Sequence, residues 1–201
     1  LGVGFLLVAV APGGLAQSAP DSTVQAAADD PLRGGAFEFG AVFGLAAFEG
    51  KSELESCFWT GLRAGHRFER FAGNERLQLG FRAGWETCFT EHATEGRVDL
   101  IYINAAFNFG LRAGRSWLLY WDTGLGEMLG DSTVGDGGEV EPRLTIRFGP
   151  GATWALSRRF LLDFSVYGIL WEAFKLGTDP GDPPGGTTFG IMPNLMVAIQ
   201  I

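Results

Sequence analysis

Two histidines and two cysteines carry the readiest chemistry in this chain, and neither pair is spaced for catalysis. His92 falls in a stretch that reads as a loop, while Ser52, Asp131, Ser132 and Asp182 fall in other such stretches. A serine–histidine–acid constellation would need those loops to converge, and spacing places no nucleophile beside His92. A solvated loop histidine is the expectation, and no catalytic residue is assigned. His66 lies inside an alternating apolar run, where an amphipathic packing role is expected. Cys57 and Cys88 have no His or further Cys at ligand spacing, so a metal site is not expected. The GDGGE run at 135–139 lacks the ligand spacing of a calcium loop. No cofactor is expected. The formal net charge of −8 argues against nucleic acid, whose binding needs basic surface to displace phosphate counterions.

The remaining chemistry lies in charged residues set among alternating apolar ones. Glu38, Arg63, Arg67, Arg82, Glu86, Asp122, Arg147 and Asp163 share one phase of that alternation, four of each sign. From Gly35 onward the dominant period is two, the period of a β-strand. In the first strand Phe37, Phe39, Ala41, Phe43 and Leu45 oppose Glu38, Gly40, Val42, Gly44 and Ala46. The third sets Leu77, Leu79, Phe81, Ala83 and Trp85 against Gln78, Gly80, Arg82, Gly84 and Glu86. Ile101–Phe109, Leu144–Leu156 and Phe189–Ile201 repeat the pattern as strands four, six and eight. Strands two (about 57–68), five (about 117–128) and seven (about 160–174) are noisier.

The second face decides what surrounds the sheet. A soluble barrel turns its apolar face inward and a Lys-, Glu- and Thr-rich face to water. Here the second face is Gly, Asn, Thr and a few charges, too small and sparse for a solvated surface. It fits the inside of a narrow barrel, with the bulky face toward lipid. The soluble barrel is the alternative. No stretch after residue 20 holds 18 apolar residues without a charge, so strands are the means of crossing a membrane. The fold class expected is an all-β, eight-stranded, antiparallel up-and-down transmembrane β-barrel.

Connections support that topology. Arg70–Asn74, Leu111–Ser116 and Ser157–Arg159 read as short turns at one end. Glu49–Ser56, Glu91–Glu95, Leu129–Pro142 and Lys175–Gly186 read as longer loops at the other. The turns are arginine-rich and the loops acidic, either as ordinary solvated tips or as collectors of divalent cations. Two cysteines in a secreted chain invite a disulfide. A turn centred between Ala72 and Gly73 places Cys57 opposite Cys88, and Arg63 opposite Arg82. The charges should pair, because isolated charges in a narrow interior are costly. They form either a structural network that plugs the barrel or a polar path for small solutes. Pro150 and Pro193 cannot donate to a ladder, and bulges or local irregularity are expected there.

Ahead of the strands, residues 1–16 have the short apolar core and small residues of a secretory signal peptide, truncated at its start. A buried strand or helix is the alternative. Residues 17–34 read as a flexible periplasmic lead-in, and 35–201 as the barrel domain. The alternating pattern over 35–201 resembles the small eight-stranded outer-membrane barrel families, typified by the transmembrane domain of outer membrane protein A and its adhesin-like relatives. That resemblance implies a Gram-negative outer membrane, contact with its lipid and lipopolysaccharide, and insertion by the barrel assembly machinery. The C-terminal strand that this machinery reads usually ends in an aromatic residue, and Ile201 stands in that place. A monomer with a structural or surface-contact role is expected. A narrow, porin-like channel and a lipopolysaccharide-modifying enzyme built around His92 are the alternatives.

Overall fold

The structure, a computed structural model, describes residues 30–32, 34–49, 55–68, 74, 76–92, 96–132, 143–172 and 187–201. The segment read as a signal peptide, the lead-in up to 29 and the acid-rich runs 50–54, 93–95, 133–142 and 173–186 lie outside the described residues. Eight strands follow one another: β1 (Phe37–Glu49), β2 (Cys57–Arg67), β3 (Leu77–His92), β4 (Gly96–Ala113), β5 (Trp117–Ser132), β6 (Arg143–Ala155), β7 (Phe160–Glu172) and β8 (Thr187–Gln200). Each pairs antiparallel with its neighbours in sequence, and β8 pairs with β1 to close the barrel.

Closure comes with a stagger. Following ladder partners from Phe37 leads through His66, Phe81, Phe107, Thr123, Phe148, Gly168 and Ile191 to Ala47. One circuit therefore arrives ten residues further along β1. An eight-stranded barrel with that stagger tilts its strands by about 40° and leaves an interior just wide enough for side chains.

Alternation sorts the residues as the lipid-facing reading requires. Phe37, Leu45 and Leu144 are 62%, 59% and 69% exposed, and Trp85, Phe107, Trp121 and Ile199 are exposed on the same outer phase. The opposite phase is buried. The end holding Phe37 and Gln200 is called inner below, the opposite end outer. The two longest connections, 133–142 and 173–186, are at the outer end. The outer β3–β4 connection is only 93–95, because both strands outrun their clear alternation, while the inner β2–β3 connection spans 68–76.

The prolines introduce gaps and no bulge. Pairing of β6 with β7 skips Gly149 and Pro150, then resumes in the same register at Gly151↔Ser165. Pairing of β1 with β8 likewise omits Pro193, while Val166↔Pro193 continues the other ladder. In an antiparallel sheet a residue's N–H and C=O address the same neighbour. A missing N–H therefore weakens one ladder and leaves the other intact.

The β2–β3 register also differs from the sequence expectation. Cys88 pairs with Trp59, not Cys57, and Arg63 pairs with Gly84, not Arg82. The disulfide Cys57–Cys88 is nevertheless present, with its Cα atoms 6.1 Å apart, inside the range a disulfide can span. Tilt explains this: in a staggered barrel, diagonal neighbours lie at nearly equal height while ladder partners do not. The same shift places a glycine across from each arginine, Gly84 for Arg63 and Gly65 for Arg82.

That exchange of bulk recurs around the lumen. Gly124 faces Arg147 and Gly151 faces Tyr120. A Cβ on Gly151 would fall 2.2 Å from Tyr120 Cζ, and one on Gly65 would fall 2.9 Å from both Arg82 Cγ and Glu38 Oε1. Gly151→Ala should therefore destabilise the folded barrel by about 1–3 kcal/mol through overpacking. Adding Tyr120→Leu should recover much of that loss. Denaturant titration read by heat-modifiable gel migration checks it, and an unchanged midpoint in Gly151→Ala would contradict the packing described.

Candidate functional site: the charged lumen

The eight inward-phase charges singled out above are buried, none more than 3% exposed, while Arg112 and Arg143 on the same phase near the strand ends are half-buried. They resolve into two groups, each with two arginines and two carboxylates. In the group nearer the inner end, Arg82 holds Glu38 through Nε at 2.5 Å and Asp163 through Nη2 at 2.9 Å. Asp163 also accepts hydrogen bonds from Tyr120 Oη and Thr153 Oγ1, both at 2.6 Å. Arg67 approaches the second oxygen of Glu38 at 3.5 Å and donates to Gln200. The Arg82 guanidinium lies 4.7 Å from the Tyr120 ring centroid.

The second group lies further toward the outer end. Arg63 Nη2 meets Glu86 Oε1 at 2.6 Å. Arg147 bridges Asp122 at 3.1 Å and Asn104 Oδ1 at 2.5 Å, while Asn104 Nδ2 donates to Glu86 at 3.3 Å. The Tyr167 ring takes Arg147 at 4.3 Å and Arg63 at 5.4 Å, and its hydroxyl accepts from Arg63 Nη1 at 3.3 Å. With carboxylates ionised, each group is electrically neutral. Burial of so many charges is tolerable only because each carboxylate has an arginine within reach.

Beyond the second group the lumen turns apolar. Trp59, Leu100, Met128, Ile169, Trp171 and Met192 pack around the disulfide. This departs from the expectation of a uniformly small and polar interior. It also explains the noisy periodicity of strands two, five and seven, which carry bulky apolar residues on both faces toward the outer end. Tyr120, Tyr167, Asn104, Thr153 and Gln200 were not singled out from sequence, although each lies on the inward phase of its strand. The signal was there in the alternation.

The other candidates contribute less. The His66 ring sits at the inner end, 4.4 Å from the Phe37 ring centroid and 5.2 Å from that of Phe68. His92 ends β3, and its side chain lies outside the described residues, as do those of Ser52, Asp131, Ser132 and Asp182. Among the described residues no group of three His, Cys, Asp or Glu is placed to hold a metal.

The network makes a specific forecast. Arg82→Met strips Asp163 of its arginine and should cost about 3–5 kcal/mol, the usual loss on breaking a buried pair from one side. Arg82→Met combined with Asp163→Leu should cost less than the sum of the single changes, because Glu38 keeps Arg67. Denaturation midpoints of the three variants test this, and strict additivity would argue against a shared network.

Comparison with known protein families and with characterised proteins finds no match to this sequence. Solved structures do match the fold. Ail, the attachment invasion locus protein of Yersinia pestis, superposes with a TM-score of 0.56 at 13% identity, covering 85% of this chain and 100% of its own. Neisserial surface protein A gives 0.55 at 12% identity, covering 83% and 95%. OprG from Pseudomonas aeruginosa gives 0.52 at 10%, covering 84% and 97%. Identities this low speak to architecture alone. Closure, stagger, apolar exterior and these likenesses agree: the chain has the fold of the small eight-stranded β-barrels of bacterial outer membranes.

Proposed function

We propose that this protein resides in the outer membrane as a closed barrel whose role is structural or surface-presenting, contributing to envelope integrity or contact and neither conducting solutes nor catalysing a reaction. The supporting observation is occlusion along the lumen. Two neutral charge groups fill the inner and middle levels, and an apolar cluster around the disulfide fills the outer level. An ion would have to displace buried, paired arginines, at a cost of about 3–5 kcal/mol for each pair broken. Lipid and lipopolysaccharide meet the exposed aromatic and aliphatic exterior, the barrel assembly machinery inserts the chain, and the barrel works as a monomer.

One compared structure holds Ail in complex with the heparin analogue sucrose octasulfate. A polysulfated ligand suits this chain poorly. Its outer connections carry Glu53, Glu95, Asp136, Glu139, Glu141, Asp179 and Asp182, the wrong sign for such a partner. Surface contact is therefore sought with cationic or neutral partners.

Two experiments decide between this reading and its rivals. Purified protein in planar bilayers should show no unitary conductance, whereas discrete openings would favour a narrow channel. Lipid A mass spectra should be the same with and without expression of the protein. A new lipid A species that disappears in His92→Ala would establish an enzyme instead.

A further inference from the structure

The described chain enters the barrel before β1 begins. Leu32 is 0% exposed and belongs to one buried apolar cluster with Val42, Leu118, Ala155, Leu161, Met196 and Ala198, side chains drawn from five strands. Its carbonyl accepts a hydrogen bond from Gln78 Nε2 at 2.7 Å, and its N–H donates to Asp30 Oδ1 at 3.0 Å. Asp30 in turn receives both Arg112 Nη atoms, at 2.5 and 2.6 Å. Gly35, at φ 76°, then turns the chain toward β1, its N–H donating to the Arg67 carbonyl at 2.6 Å. The lead-in read from sequence as flexible through residue 34 is thus anchored at Asp30 and Leu32.

This geometry has the parts of a recognition site. A forked guanidinium grips one carboxylate, an apolar pocket receives one leucine two residues on, and an amide side chain reads the backbone between wall and peptide. The site also offers more than its occupant uses. Among the described residues, Arg67 Nη1 and Gln78 Oε1, both on residues no more than 3% exposed, find no hydrogen-bond partner. Burial alone would raise the pKa of Asp30. The Arg112 hydrogen bond, the Leu32 N–H and the charges of Arg112 and Arg67 together hold it below the ordinary aspartate value. The contact is therefore complete above the ordinary carboxylate range and is lost as pH falls through that lowered value.

We propose that the inner mouth of the barrel is a binding site for a short acidic–apolar peptide of the form Asp-x-Leu, and that Asp30–Leu32 is its resident, exchangeable occupant. The inference does not rest on the closed lumen, since Arg112, Gln78 and the apolar cluster around Leu32 can hold such a segment whether or not solutes pass. An intramolecular occupant competes at an effective concentration near millimolar, so a free peptide must be supplied in that range.

Ala155 belongs to the same buried cluster as Leu32 and is small, and Cys57 and Cys88 are joined, so Ala155→Cys introduces one reactive thiol. In the folded full-length chain this thiol should react slowly with a water-soluble maleimide. Adding Asp30→Ala should accelerate labelling at least about tenfold, the loss expected from two charge-assisted hydrogen bonds. The synthetic peptide Ala-Asp-Asp-Pro-Leu, at millimolar concentration, should slow it again, whereas Ala-Asp-Asn-Pro-Leu should not. Heat-modifiable migration establishes that every variant is folded. Equal labelling with and without Asp30 would overturn the proposal. So would labelling that accelerates but does not respond to peptide, since the segment would then be a fixed wall. Conductance measurements report on the lumen separately, so either idea can fail alone.

Discussion

Hydrocarbon offers no hydrogen bonds to a bare backbone, so a sheet that crosses it must have no edge. The rest of this structure depends on that constraint. Closing eight strands with a stagger of ten residues determines tilt and width together, and the width leaves room for side chains and little else. The lumen must therefore be filled to native density from within. Glycine opposite arginine or tyrosine is the solution seen at Gly84, Gly65, Gly124 and Gly151. Bulk on one strand is matched by its lack on the next.

Filling a narrow space with arginine raises an electrostatic problem, and grouping solves it. Neutral sets of two and two keep the field local and give every carboxylate at least one cation. Tyr167 extends this economy of space, lending one ring to Arg63 and Arg147 together. Arg63 and Arg82 lie close in height on adjacent strands, yet each belongs to a different group. Their mutual repulsion is answered by Glu86 on one side and by Glu38 with Asp163 on the other.

Face assignment was legible in the sequence because a two-residue period leaves no ambiguity once one face is bulky. Glu38, Arg82 and Asp122 could be placed inside from their neighbours alone. Register was harder to read. Reflecting β2 onto β3 assumed a tight turn, and the connection over 68–76 is not one, so the pairing lies two residues away. The apolar outer lumen was hidden because Trp59, Met128 and Trp171 interrupt the contrast between faces. Asp30–Leu32 carried no period at all. Its place follows from a pocket assembled by five strands, which no local pattern encodes.

The Cys57–Cys88 bridge follows equal height and not the ladder, and this makes it a one-sided limit on barrel girth. A slip of β3 by two residues is the smallest that preserves faces. In one direction it would bring the cysteines directly opposite, still within bridging distance, and would reduce the stagger to a narrower barrel. In the other it would separate them by four residues, about 13 Å along the strand, beyond any disulfide. The covalent bond thus forbids the wider form and the crowded lumen forbids the narrower one. Diameter in this protein is bracketed, from outside by sulfur and from inside by arginine.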